Sequence, residues 1–214
     1  MKSLPLLKCL RCELWLAIAA ALLTGGLIVA LVLPPSSKTE HTGPWLYGPR
    51  EARWSLIEYA DLKCPYCKAY TPQLKTWVDQ HPLVNLQWHH LPLSSHEPAA
   101  TRLAILAECA GRLGGNAAFW TTVEGVFDHA DAPPRKLPNI DPQALEQCLE
   151  NNEQVTQTIQ AQRDEALAQG IKATPTLRVK DNQSGRYVTL EGPVDNATLL
   201  SAIDWLSTSE TEQK

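Results

Sequence analysis

The residue types with chemical potential are two cysteine pairs, Cys9-x-x-Cys12 and Cys64-x-x-Cys67, and two single cysteines, Cys109 and Cys148. Cys64-Pro65-Tyr66-Cys67 lies where a β-rich run, Trp54 to Ala60, gives way to a helical period. At a helix start, unpaired backbone N–H groups and the positive end of the dipole favour a thiolate, so the Cys64 pKa is expected to be depressed. Cys67, three residues later, falls on the same face and can close a disulfide or release a mixed one. Pro65 suits the first helical turn, where its missing N–H has no partner to lose. Lys63 and Lys68 would add favourable charge if they point at the sulfur. Two other uses of the motif stay open at this level: a four-thiolate zinc knuckle with Cys9 and Cys12, and an inert structural disulfide.

These residues must be held by a particular order of elements. From Cys64 to about Gln80, Tyr70, Leu74, Trp77 and Val78 share one helical face, with Pro72 expected to kink it. A second strand is expected over Val84 to Leu91. Ser94 to Gly170 is helical in pattern: a run through Leu103, Leu106, Ala107, Ala110 and Leu113 stops at Gly114-Gly115, and helices follow over Ala118 to Phe127, Asp141 to Leu149 and Asn152 to Gln169. Strands return at Thr176 to Val179 and Tyr187 to Leu190, and an amphipathic helix covers Asn196 to Leu206. Trp77, Trp88, Trp120 and Trp205 read as core. His89 and His90 end a strand, and the loop histidines His41, His81, His96 and His129 read as solvated.

Ahead of this domain, Lys2, Lys8 and Arg11 precede an unbroken apolar run of 20 residues, Leu14 to Leu33. At about 1.5 Å per residue such a run crosses a hydrocarbon core of roughly 30 Å. It is longer than a cleavable signal's apolar centre, and its end, Val29-Ala30-Leu31-Val32-Leu33-Pro34, suits cleavage badly, so an uncleaved signal anchor is expected. Its basic flank places that end in the cytoplasm, and everything from Pro34 onward is exported. The two Cys-x-x-Cys pairs then lie on opposite sides of the membrane and cannot share a zinc ion. The expected division is a cytoplasmic stub at 1–13, a transmembrane anchor at 14–33, a linker at 34–44, a folded domain in parts 45–93 and 171–206 with a helical insertion at 94–170, and a flexible tail at 207–214.

The formal net charge of -4 gives no field that would draw the chain to nucleic acid. No HExxH, nucleophile elbow or phosphate-binding glycine loop is present, which removes support from hydrolase and nucleotide readings. No cofactor or metal is expected.

With the cysteine motif after a strand, Pro72 five residues beyond Cys67, Thr174-Pro175 ahead of a strand and Glu58 six residues before Cys64, the stretch from Ala52 to Leu206 resembles the thioredoxin superfamily. Within it the chain is similar to DsbA-like thiol:disulfide oxidoreductases. The resemblance implies an α/β thioredoxin-like fold with an inserted helical domain, here preceded by the transmembrane helix. It implies Cys64 and Cys67 as the catalytic pair, Glu58 as a buried acid, and Pro175 as the family's cis-proline, with the Thr174 backbone pairing to an extended substrate peptide. Glu58 alternates with Ile57 and Tyr59, so it can point inward beneath Cys67, where burial would raise its pKa and let it relay a proton; an exposed strand carboxylate is the plain alternative. Some relatives carry a second disulfide, and Cys109 and Cys148 are expected to form one here; buried free thiols or an electron relay remain alternatives.

The implied activity is thiol:disulfide exchange on exported cysteine-containing proteins in the periplasm of a bacterium, from its inner membrane, with a membrane redox partner. A dithiol oxidase is preferred and a reductase is second. The Pro65-Tyr66 dipeptide lacks the histidine of strongly oxidising relatives, and an isomerase usually carries a dimerisation domain that does not fit between Pro34 and Trp45. A thioredoxin-fold chaperone or copper-holding protein is the third possibility, without Met-rich or His-rich support.

Overall fold

The structure is a computed structural model that describes residues 44–129 and 137–208. The expected stub, anchor and most of the linker, with Cys9, Cys12 and His41, lie outside the described residues, as do 130–136 and the tail from 209. Among the described residues no helix is long and apolar enough to cross a membrane.

A five-stranded sheet organises the domain in the order β1-β3-β2-β4-β5. Its strands are β1 (Trp45–Tyr47), β2 (Trp54–Ala60), β3 (Val84–His90), β4 (Thr176–Asp181) and β5 (Tyr187–Glu191). The central strand β2 runs parallel to β3 and antiparallel to β4, with Glu58 opposite both Trp88 and Leu177. A parallel pair needs a crossover, and helix α1 (Pro65–Asp79) supplies it. Its buried residues Cys67, Tyr70, Thr71, Leu74, Trp77 and Val78 recur at helical spacing and make one apolar stripe. Pro72 removes an N–H from the helix interior, yet the helix continues to Asp79.

Between β3 and β4 stand α2 (Ala99–Asp128), α3 (Pro142–Glu150) and α4 (Glu153–Ala168), the expected helical insertion. The break at Gly114-Gly115 is sharp: Gly115 has φ 73° and ψ -167°, so two helical runs meet there within α2. Helix α5 (Asn196–Thr208) closes the described chain. Leu56, Leu86, Trp88, Leu177 and Val179 from the sheet share one core with residues of α1, α2 and α5. On the other face Tyr59 and Ile57 pack with Ala166 of α4 and with Leu91 and Ile171.

Of the sequence-based expectations for the core, that for Trp205 changes; strand β1 and the surroundings of His90, which ends β3 as expected, are new. Strand β1 was not foreseen; its three residues are too few to show an alternation, and their partners in β3 lie about 40 positions on, Trp45 opposite Trp88. Trp205 is 55% exposed and lies beneath the Arg186 guanidinium, so it is not core. His90 is buried: its Nε2 faces Glu108 Oε1 at 3.2 Å, while its Nδ1 accepts from Trp88 Nε1 at 3.0 Å. Trp45 Nε1 donates to the same Glu108 oxygen at 2.7 Å, so β1, β3 and α2 share a buried polar junction. Burial pushes the Glu108 pKa up, but its hydrogen bond and attraction to His90, with Trp45 and Arg112, outweigh that and hold it below the usual value.

Candidate functional site

Strand β2 ends at Ala60, and the three residues that follow set the geometry of Cys64. Asp61 is buried, and its carboxylate accepts from the backbone N–H of Lys63 at 2.7 Å and of Leu93 at 2.8 Å. His96 Nδ1 lies 2.8 Å from the same carboxylate, so this histidine is engaged where the sequence reading had it solvated. The Asp61 carbonyl accepts from Cys64 N–H at 3.0 Å. Cys64 thereby becomes the N-cap of α1, in extended conformation, with Pro65 in the first turn.

Cys64 and Cys67 are both free thiols in this structure. Cys64 keeps 3% of its surface exposed and Cys67 none, whereas Tyr66 between them is 66% exposed. Across the loop, the Thr174–Pro175 bond is cis, and the Cys64 thiol donates to the Thr174 carbonyl oxygen at 3.3 Å. The sulfur thus meets the backbone of the residue preceding Pro175, although 110 positions separate them.

The two thiols are electrostatically unlike. A hydrogen bond from the Cys67 thiol, opposed by burial and assisted by the Thr174 side chain and the N–H groups of Cys67 and Tyr66, lowers the Cys64 pKa from 9.0 to about 5. Hydrogen bonds do this; the charges of Lys63 and Lys68 are not among the causes. Burial first, then the bond given to Cys64 and the nearby Glu58, drives the Cys67 pKa up. A thiolate ready to attack therefore adjoins a thiol that holds its proton.

Glu58 is fully buried on β2, and burial raises its pKa from 4.5 to about 8 against the lowering effect of Thr71. Thr71 Oγ1 donates to Glu58 Oε1 at 2.9 Å. A carboxyl poised near neutrality beside a buried thiol can exchange protons with it.

Cys109 and Cys148 stand apart from this group, joined by a disulfide between α2 and α3 with Cα atoms 5.8 Å apart. Among the described residues no cluster of three or more His, Cys, Asp or Glu side chains could hold a metal ion. Sequence reasoning brought together Cys64, Cys67, Glu58, Thr174 and Pro175 but missed Asp61, His96 and Thr71. Asp61 had a signal, an acceptor side chain just ahead of a helix start. So did Thr71, four residues after Cys67 and hence on its face. His96 had none, because a loop histidine 35 positions from Asp61 shares no period with it.

The family model described as Thioredoxin matches residues 39–204. Among solved structures, Pseudomonas aeruginosa DsbA2 is 51% identical, with a TM-score of 0.71 over 76% of this chain and 93% of that one. Wolbachia pipientis alpha-DsbA1, at 21% identity and a TM-score of 0.64, covers 86% of this chain and 98% of its own; it shares the fold. So does Bacillus subtilis BdbD, at 20% identity and a TM-score of 0.61 over 75% of this chain and 91% of that one. The chain also matches two curated proteins named Na(+)/H(+) antiporter, from Salinispora tropica (35% identical over 49% of this chain) and Salinispora arenicola (36% over 48%). It spans only 15% of the length of either antiporter, so their transport activity has no bearing on the site. Taken with the matched span and the identity to DsbA2, the strand-to-helix cysteine pair facing a cis-proline assigns this chain to the thioredoxin superfamily, as a DsbA-like thiol:disulfide oxidoreductase.

Proposed function

We propose that this oxidoreductase is a dithiol oxidase that gives its Cys64–Cys67 disulfide to exported, cysteine-containing proteins in the periplasm of a bacterium. Cys64 is the sulfur attacked by the first substrate thiolate and Cys67 leaves; a second substrate thiol then attacks the mixed disulfide, forming the substrate disulfide and freeing Cys64, while Cys67 resolves complexes that do not go on. Glu58 relays the proton, and Thr174 with Pro175 lines the edge that takes the peptide. The observation that carries the direction of transfer is the Cys64 pKa of about 5. A thiolate stabilised in the reduced protein makes reduction of the disulfide favourable, and therefore makes the disulfide a good oxidant. The apolar run Leu14 to Leu33 would anchor the chain in the inner membrane with its domain in the periplasm, and a membrane partner would restore the disulfide.

Equilibration of the full chain with glutathione tests the direction. A reduction potential at or above about -180 mV is expected of an oxidase, and one near about -270 mV would make the protein a reductase. In cells the mature chain is expected in the membrane fraction with Met1 to Leu33 retained; a soluble mature form beginning beyond Leu33 would overturn the anchoring.

A further inference from the structure

Thr71 differs from other threonines of the helices in where its hydroxyl goes; Thr101 and Thr156 donate to side chains four residues back, on Glu97 and Asn152. Thr76, Thr122 and Thr158 each donate their hydroxyl to the carbonyl four residues back, on Pro72, Ala118 and Gln154, as helical threonines commonly do. Thr71 instead reaches out of α1 to the neighbouring strand and donates to Glu58 Oε1 at 2.9 Å. It lies one turn beyond Cys67 on the same buried face. The second carboxyl oxygen, Glu58 Oε2, is buried with no hydrogen-bond partner. An unpartnered buried oxygen is costly and calls for an explanation, and proton exchange is one that needs an oxygen left open. Cys67 has no exposed surface, so bulk water is poorly placed to protonate its sulfur, while the Glu58 charge acts on it directly.

Resting on the Cys64–Cys67 exchange reading above, we propose that Thr71 is a positioning residue for proton transfer at Cys67. By occupying Glu58 Oε1, it leaves Oε2, which has no hydrogen-bond partner here, as the oxygen that exchanges the Cys67 proton through one intervening water. In the oxidising direction a substrate thiolate attacks Cys64 Sγ, a new S–S bond forms to substrate, and the Cys64–Cys67 bond breaks. Cys67 leaves with the electron pair of that bond and takes the proton from Glu58 Oε2. The carboxylate so formed accepts the Thr71 hydroxyl in a stronger, charge-assisted bond, which draws the transfer forward. In the reverse direction Cys67 returns its proton to Oε2 as its sulfur attacks Cys64, and substrate departs as a thiolate.

The test uses the full chain with Thr71→Val, Thr71→Ser and Glu58→Gln. Glu58 is titrated through its carboxyl infrared band, and the oxidised protein is reacted with a dithiol peptide in single turnover across pH. Loss of one hydrogen bond to a charged group should move the Glu58 midpoint of Thr71→Val upward by about one pH unit or more. The turnover rate should fall about three- to tenfold, its alkaline limb should shift the same way, and Thr71→Ser should restore all three. Glu58→Gln should slow turnover by about 100-fold. If Glu58→Gln slows the reaction but Thr71→Val titrates and turns over as the parent does, the role of Thr71 is overturned and the relay survives. If Glu58→Gln leaves rate and pH profile unchanged, the carboxyl moves no proton and the proposal fails with it. Turnover by a Cys64→Ser chain would instead overturn the exchange reading itself.

Discussion

Cys64 and Cys67 share one helix, three residues apart, and their pKa values move in opposite directions. The donors around Cys64 come from its own helix and from the Thr174 side chain, so the thiolate is held by several short-range contacts. The first of these is the Cys67 thiol, which makes the pair interdependent. Thiolate absorbance of the reduced protein should therefore titrate with a midpoint of about 5, and Cys67→Ala should move that midpoint upward. A midpoint near 9.0 in the unaltered chain would contradict the geometry. The depressed value also fixes a sign. Cys64 contributes stability to the reduced protein above its unfolded pKa of about 9, and that contribution is lost as pH falls through about 5. The oxidised protein, whose Cys64 cannot titrate, lacks this dependence, so the stability difference between redox forms should change across the same window.

At the scale of elements, strand β2, the Asp61 loop and helix α1 form one device, and most of it was legible. The change of period at Asp61 marks where the strand ends, and Pro65 marks where the helix begins. What was not legible depends on contacts across long separations. Asp61 joins the loop before Cys64 to Leu93 and His96, at the entry to the helical insertion, and no local pattern announces that tie. The buried Glu108 is equally silent, since a single acid in an apolar helix face reads as an interruption until Trp45 and His90 are seen around it. Trp205 misled because helical spacing places it on a face without saying what covers that face. The disulfide between α2 and α3 closes a separation of 39 residues. Opening it with Cys109→Ser and Cys148→Ser together should lower stability by about 2 to 4 kcal/mol in chemical denaturation. Thiol exchange at Cys64 should persist in that variant; its loss would mean that the bridge carries electrons to the active pair.

For the whole molecule, the sheet gathers its working parts at one end of the central strands. Cys64 follows β2, the Asp61 tie reaches the segment after β3, and Thr174-Pro175 enters β4, so three chain segments distant in sequence meet at the loop that carries Cys64. The helical insertion between β3 and β4 packs against the sheet through α2 and α4. Resemblance foretold this arrangement because it spans nearly all of the folded part, whereas composition alone led only as far as one folded domain without nucleic-acid character.

The central claim is that substrate is held covalently on Cys64 while Cys67 supplies the return route that frees stalled complexes, and trapping in the native host tests it most directly. Full-length Cys67→Ala chains, separated on non-reducing gels with partners identified by mass spectrometry, should accumulate adducts with exported cysteine-containing proteins that dissolve on reduction. Cys64→Ala chains should accumulate few, because Cys67 is buried and its pKa is raised. Equal trapping by both variants, or full thiol-exchange activity with either cysteine removed, would contradict the account.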